Sequence, residues 1–264
     1  MISILSDKNP QFKNWKKLKR RKQRVEQGQF IIEGWKLIEE AVAAKIELNA
    51  IIICQGAETE FQDKIKPYNS YVLPRKLYEQ LAATDTPQPI MAIANMRNTQ
   101  TSDEDSNLAE QELVLVLDRI QDPGNMGTII RTAHAAGISI LYLTKGCADV
   151  FNEKVIRSAM GSSFHIQTIV IEDERELMSA LKGKQFTIAT AHVGEGSTSL
   201  YNTIFNRPLA LILGNEAAGP SEIMLDNSNV KVKIPLLGGA ESLNVGIAAG
   251  IIIYEIVRQL KFDQ

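Results

Sequence analysis

From Leu113 onward the chain alternates short, continuous apolar runs with helical patterns, and this restricts the fold more than any other feature. The runs are ELVLVLD, SILYL, HIQTIVI, FTIATA, PLALIL and VKVKI. Strands that lack polar alternation are covered on both faces, so this half reads as α/β, a parallel sheet between two helical layers. In such sheets ligands bind at the carboxyl ends of the strands, where loops carry polar groups on a rigid scaffold. Three stretches qualify: DRIQDPGNMGTIIRTAHAAG after Leu113–Leu117, GNEAAGPSE after Leu209–Leu213, and IPLLGGAESLNVGIAAGIIIYEIVRQ, residues 234–259.

The N-terminal part reads as a smaller alternating unit. A basic helix leads into the strand-like QFIIEG, and then come helix WKLIEEAVAAK, strand LNAIIIC, a helix near residues 58–66, strand NSYVL, helix PRKLYEQLA and strand IMAIANM. Residues 97–112, RNTQTSDEDSNLAEQE, are polar and acidic without periodicity, which marks a solvated linker. The expected organisation is therefore a domain over 1–96, a linker over 97–112 and a domain over 113–264. A chain of 264 residues with 44% hydrophobic and 23% charged residues can bury two modest cores.

Net charge is only −2, but the basic residues are unevenly placed. Lys13, Lys16, Lys17, Lys19, Arg20, Arg21, Lys22 and Arg24 crowd one short stretch, with Phe12 and Trp15 among them and almost no acidic partners. A solvated helix face is one reading. Phosphate contact with aromatic help is the other, and it makes Lys16, Lys17, Lys19, Arg20, Arg21 and Arg24 candidate nucleic-acid-binding residues. Cys54 and Cys147 lie far apart without CxxC spacing, and His134, His165 and His192 are scattered, so no metal site is expected. No apolar run approaches bilayer length, and the start MISILSDKNPQFKNWKK places its apolar residues before its positive charge. A cytoplasmic protein without membrane partners is expected.

In the first loop Asp122, Pro123, Gly124 and Asn125 form a turn signal ahead of a helix, and Arg131 follows about two turns in. Arg131 reads equally as a snorkelling surface arginine. In the second loop Gly214 and Gly219 allow close backbone approach, with Asn215 and Glu216 at the strand end. The third places Glu241, Ser242 and Asn244 where a helix should start, although a helix entrance needs one good cap rather than three. GNEAAG is not GxGxxG, and no P-loop lysine accompanies it, so dinucleotide or ATP binding is poorly supported.

PGNMGTIIRTAHAAG, LILGNEAAGPS and IPLLGGAESLNVGIAAGI together resemble, in kind, order and spacing, the three successive motifs of the SpoU (TrmH-like) branch of the SPOUT methyltransferases. VIRSAMGSSFHIQ, residues 155–167, is similar to that family's segment between the first two motifs. NPQFKNWKKLKRRKQR followed by GQFIIEGWKLIEEA resembles the family's substrate-binding domain, related to ribosomal protein L30e. The resemblance implies methyl transfer from S-adenosylmethionine to a ribose 2′-hydroxyl of RNA, ribosomal 23S RNA before transfer RNA, by a homodimer. It also implies a deep C-terminal trefoil knot, in which Gly246, Ala248, Ala249 and Gly250 would serve close helix packing.

Carried over by position, Gly214, Ile234 and Leu243 would hold the cofactor, with Leu213, Asn215, Gly219, Pro235 and Asn244 around them and Thr190 and Ala191 completing the wall. Asn125, Arg131, Glu216, Ser242 and Asn244 match the family's active-site positions. Ala217 and Ala218 depart from it by replacing the glycine common after the motif's glutamate. The implied chemistry is an in-line displacement. Because a guanidinium stays protonated, Arg131 is read as a stabiliser of the developing alkoxide rather than a base. Asn125 would orient the ribose or Arg131, Glu216 would hold Arg131, and Ser242 and Asn244 would shape the pocket. A non-catalytic RNA-binding protein of the same fold is the alternative, and a nucleotide-dependent dehydrogenase a weaker one.

Overall fold

A computed structural model describes residues 1–96, 108 and 111–262, so the expected linker lies largely outside the described residues, at 97–107, 109 and 110. In chain order the first elements are β1 (Ile2–Ser3), α1 (Pro10–Lys17), α2 (Arg21–Gln27), β2 (Gln29–Glu33), α3 (Trp35–Ala43), β3 (Leu48–Cys54), α4 (Glu58–Phe61), β4 (Ser70–Leu73), α5 (Arg75–Leu81) and β5 (Ile90–Asn95). Next come β6 (Leu113–Leu117), α6 (Pro123–Ala135), β7 (Ile140–Leu143), α7 (Glu153–Ala159), β8 (Gln167–Val170), α8 (Glu174–Gly183) and β9 (Thr187–Ala191). The last are β10 (Thr198–Ser199), β11 (Leu209–Leu213), α9 (Glu222–Asp226), β12 (Val230–Lys233) and α10 (Val245–Val257).

Contacts divide the chain into Met1–Asn98 with Asp149–Phe164, and Thr99–Ala148 with His165–Gln264. This amends the expected division at 113–264, and the reason is burial. Phe151 and Phe164 pack on Phe30 of β2 with ring centroids at 4.9 and 6.1 Å, and Ile156 of α7 enters the same core.

The first unit is a five-stranded mixed sheet in the order β1-β4-β3-β5-β2. Its expected single basic helix is two helices. Asn9 caps α1 by accepting from the Gln11 and Phe12 N–H groups at 2.9 and 3.2 Å, and the chain breaks after Lys17. Carbonyls freed at such a break need donors. Arg24 supplies them: Nη1 donates to Leu18 O at 2.8 Å and Lys19 O at 3.1 Å, while Nε donates to Asp149 Oδ2 at 2.9 Å. Arg24 is thus 4% exposed and leaves the expected RNA-binding set. Phe12 and Trp15 are also core residues rather than base-stacking platforms, Trp15 meeting Tyr71 edge-on at 5.1 Å. Lys16, Lys17, Lys19, Arg20 and Arg21 remain exposed.

Glu153 opens α7 with its pKa raised from 4.5 to about 7, chiefly by burial, against the pull of Lys19 and with the push of Glu33. A carboxyl that holds its proton more tightly when folded costs nothing below pH 4.5, where both states are protonated, and its cost is complete above pH 7, where the folded state must ionise. Glu153→Gln is therefore expected to raise the thermal midpoint by roughly 3–8 °C at pH 8 and to leave it unchanged near pH 4.5, which thermal scans at the two pH values measure.

The second unit is a seven-stranded, wholly parallel sheet in the order β10-β12-β9-β11-β6-β7-β8. The chain leaves β6 towards β7 and β8, then returns to the other side, where β11 slots between β9 and β6 with Leu213 beside Leu117. Polar loops gather at the carboxyl ends on either side of this reversal. Helix α6 starts at the Asp122 cap, whose Oδ1 accepts from the Asn125 N–H at 2.8 Å, with Pro123 in its first turn. Helix α10 lies against α6. A Cβ on Gly246 would stand 3.2 Å from Thr128 Cβ and Cγ2, a tight contact that favours the smallest residue at that approach, whereas at Gly250 the nearest atom is 3.9 Å away. Helix α10 ends at Val257 and widens into a π-turn, Arg258–Phe262.

Candidate active site

The carboxyl ends of β9, β11 and β12, the loop after β11 and the start of α10 enclose a cavity of about 560 Å³. That lies within the roughly 300–1,000 Å³ of small-molecule sites. Leu213, Ile234, Leu243, Val245 and Ile252 form apolar walls, and Asn125, Asn215, Glu216, Ser242 and Asn244 add polar groups.

A hydrogen-bonded chain joins the three loops. Asn244 caps α10, its Oδ1 accepting from the Gly246 and Ile247 N–H groups at 2.9 and 3.3 Å. Its Nδ2 donates to Asn125 Oδ1 at 2.8 Å, and Asn125 Nδ2 donates to Glu216 Oε1 at 3.1 Å. Glu216 also accepts from the Gln121 and Asp122 N–H groups at 3.4 and 3.3 Å. Burial works to raise the Glu216 pKa, but the Asn125 amide and these backbone donors prevail and hold it below the ordinary carboxylate value. Glu216 is therefore an anion at neutral pH, and it holds Asn125 rather than Arg131.

The loop after β11 is as tightly determined. Asn215 Oδ1 accepts from the Ala217 and Ala218 N–H groups at 3.0 and 2.9 Å, and Asn215 O accepts from the Gly219 N–H at 2.9 Å. Gly219 takes φ +70°, a left-handed conformation that favours glycine. The two alanines that replace the family's glycine form part of the cavity lining without obstructing the loop.

Of the residues expected from sequence, Ala191, Leu213, Gly214, Asn215, Gly219, Ile234, Leu243 and Asn244 line the cavity, as do Asn125, Glu216 and Ser242. Three do not. Thr190 is fully buried beneath the site, its hydroxyl paired with Ser228 Oγ at 2.5 Å. Pro235 is passed over while Ile234 and Leu236 on either side of it both contribute. Arg131 is exposed on α6, outside the lining, and among the described residues none bonds to its guanidinium. Sequence reasoning missed His192, Val193, Gly194 and Lys233. The strand-end rule that selected the other loops also selects the residues after β9 and at the end of β12, so the signal was positional rather than chemical. Among the described residues no group of three or more His, Cys, Asp or Glu could hold a metal ion, and no helix is long and apolar enough to cross a membrane.

Residues 112–254 match the SpoU rRNA Methylase family, and residues 9–92 match the MRM3-like substrate binding domain. The chain is 36% identical, over 97% of its length and 99% of the relative's, to the 23S rRNA (guanosine(2553)-2'-O)-methyltransferase RlmP of Bacillus subtilis (strain 168). Among solved structures it resembles the AdoMet-bound rRNA methyltransferase of Sinorhizobium meliloti, with a TM-score of 0.84, 28% identity and 98% of each chain covered. It also resembles the SpoU methyltransferase AviRb of Streptomyces viridochromogenes in complex with the cofactor AdoMet, with a TM-score of 0.82 and 26% identity over 96% of this chain and 98% of that one.

Proposed function

The chain belongs to the SpoU rRNA methylase family, and from that premise we propose that it transfers a methyl group from S-adenosylmethionine to a ribose 2′-hydroxyl of 23S rRNA. The observation that carries this reading is the Glu216–Asn125–Asn244 chain, which ties all three loops together at the mouth of one cavity. Calorimetry with S-adenosylmethionine, S-adenosylhomocysteine and NAD tests the donor, and mapping of 2′-O-methyl groups lost from 23S rRNA on gene deletion tests the substrate. NAD binding would make the protein a dehydrogenase; binding of none of the three would make it a non-catalytic RNA-binding protein.

The residues present fit the donor: apolar walls for an adenine ring, backbone groups at Leu213–Asn215 for its edge, and the anionic Glu216 to favour a cationic ligand. When bound, the donor supplies an electrophilic methyl on a sulfonium. Asn125 and Asn244 hold the mouth of the cavity in one geometry, and Ser242 stands exposed beside them to meet the ribose. Arg131 stabilises the alkoxide that develops as the 2′-oxygen attacks, and the proton passes to water or an RNA phosphate.

The N-terminal unit, residues 1–96 together with 149–164, binds the RNA, the chemistry belongs to 113–148 with 165–264, the segment 97–112 lies between them in sequence, and Lys16, Lys17, Lys19, Arg20 and Arg21 supply the phosphate contacts. Support comes from their exposure and from the domain match over 9–92. Replacing Lys16, Lys17, Arg20 and Arg21 together by glutamine is expected to weaken RNA binding and to reduce the slope of log affinity against log salt by roughly two to four units. Titrations at several salt concentrations measure this. An unchanged slope would make the basic run a solvated face.

The protein is cytoplasmic, carries the family's trefoil knot and works as a homodimer. Ile247 and Tyr254, two turns apart on α10, are 56% and 51% exposed, and an apolar helix face of this kind calls for cover. Light scattering is expected to give the mass of a dimer at micromolar concentration. A fully active monomer would remove the claim.

A further inference from the structure

We infer that Asp118 is a positioning residue for the methyl donor: its carboxylate, with Arg119, fixes the loop after β11 in the shape that binds the donor. The inference rests on reading the cavity as the donor site, and it concerns two residues that do not line that cavity.

Asp118 follows β6 and is fully buried. Its Oδ1 accepts from Arg119 Nε at 2.9 Å and Thr144 Oγ1 at 3.2 Å. Its Oδ2 accepts from Arg119 Nη2 at 3.2 Å and from the Ser221 N–H at 2.6 Å. Arg119 continues the construction. Its Nη2 donates to Gly219 O at 3.1 Å, and its own carbonyl accepts from Asn215 Nδ2 at 2.8 Å. Both ends of the donor loop, Asn215 at one side and Gly219 and Ser221 at the other, are thus tied to two consecutive residues that follow a different strand, β6. Arg119 stands at φ +56°, a conformation L side chains rarely adopt, with its N–H held by Thr144 Oγ1 at 2.9 Å.

Stability alone does not account for this arrangement. Asp118 is buried while the Arg119 side chain is 34% exposed, and a pair that desolvates one charge and leaves the other partly screened by water gives little net stability. What the pair supplies is direction, because a planar guanidinium fork on a carboxylate aims one N–H at a single carbonyl. The loop so held presents Gly214, Asn215 and Glu216 to the cavity. If the tie loosens, the loop samples other shapes and the donor must select one of them, so affinity falls while the chemical step, once the donor is bound, does not.

The test is Asp118→Asn, which keeps the shape and removes the charge, read by calorimetry with S-adenosylhomocysteine and by steady-state methyl transfer. The dissociation constant and the donor KM are expected to rise by about tenfold or more, with kcat at saturating donor within about twofold of the wild type. Should that variant fold poorly, Arg119→Lys serves instead. Its ammonium keeps a charge beside Asp118 but lacks the planar fork that spans Oδ1, Oδ2 and Gly219 O together, so a smaller rise in the same two constants is expected with kcat again retained. Unchanged affinity in the variant that folds, with only its melting temperature lowered, overturns the inference. Failure of the wild-type protein to bind S-adenosylhomocysteine is a different result, which removes the donor reading itself.

Discussion

Gly214→Val is expected to abolish donor binding, lowering affinity for S-adenosylhomocysteine by at least about a hundredfold, and Gly214→Ala is expected to do nearly the same. A Cβ on Gly214 would lie 2.2 Å from Pro220 N, 2.5 Å from Gly219 C and 2.6 Å from Pro220 Cα. These are backbone atoms of the returning end of the same loop, which no rotamer change can move aside. The side chain would therefore not merely crowd an adenosine; it would force the loop open before any ligand arrives. Overpacking of this kind costs roughly 1–3 kcal/mol, which the whole domain can absorb, so the variant should fold with a lowered melting temperature and an empty site. Gly239→Ala is the control: in the third loop an added Cβ meets nothing within 4 Å, and its affinity should stay unchanged. Calorimetry on the three variants decides. A Gly214→Ala protein with wild-type affinity would show that the loop yields easily and that its shape does not set donor binding.

The parallel sheet was legible because its central runs, LVLVL, ILYL and LALIL, are unbroken by polar residues, and burial on both faces leaves few other folds for such strands, whereas the outer VKVK alternates. The two-residue strands β1 and β10 were not, since Ile2–Ser3 and Thr198–Ser199 are too short to carry a period. The break between α1 and α2 was hidden for another reason. Arg24 looks like its basic neighbours until Asp149, 125 residues away, takes its charge and two loose carbonyls take its other donors. Candidate site residues follow the same division. Asn125, Glu216, Ser242 and Asn244 could be picked out by motif, and the structure brings them to one cavity. Their pairing could not be read: Glu216 on Asn125, where Arg131 was the expected partner, depends on how α6 begins at the Asp122 cap. His192 and Lys233 escaped notice because neither belongs to a motif and only the strand ends place them at the cavity.

Arg131 now carries the sharpest chemical claim, since the structure gives it no bond to any described residue. Its guanidinium is exposed on α6, about two turns beyond Asn125, while Thr128 and Thr132 on the same helix are occupied with the carbonyls one turn back. Removing it therefore leaves no buried cavity and no orphaned partner, so Arg131→Ala should leave the melting temperature and donor affinity nearly unchanged. Single-turnover methyl transfer at saturating donor and RNA is nevertheless expected to fall by about two orders of magnitude or more, the scale on which a preorganised donor at a developing oxyanion acts. Arg131→Lys should recover little of this. A compact ammonium on a flexible stem does not reproduce a planar fork that can face the 2′-oxygen and an RNA phosphate together. A surface arginine that only keeps its helix soluble would produce neither effect, because exposed substitutions away from a site stay within about 0.5 kcal/mol in stability and leave the chemical step alone. Near-normal transfer by Arg131→Ala would establish that bland role and would require the alkoxide to be stabilised by another group, with Ser242 the next to test.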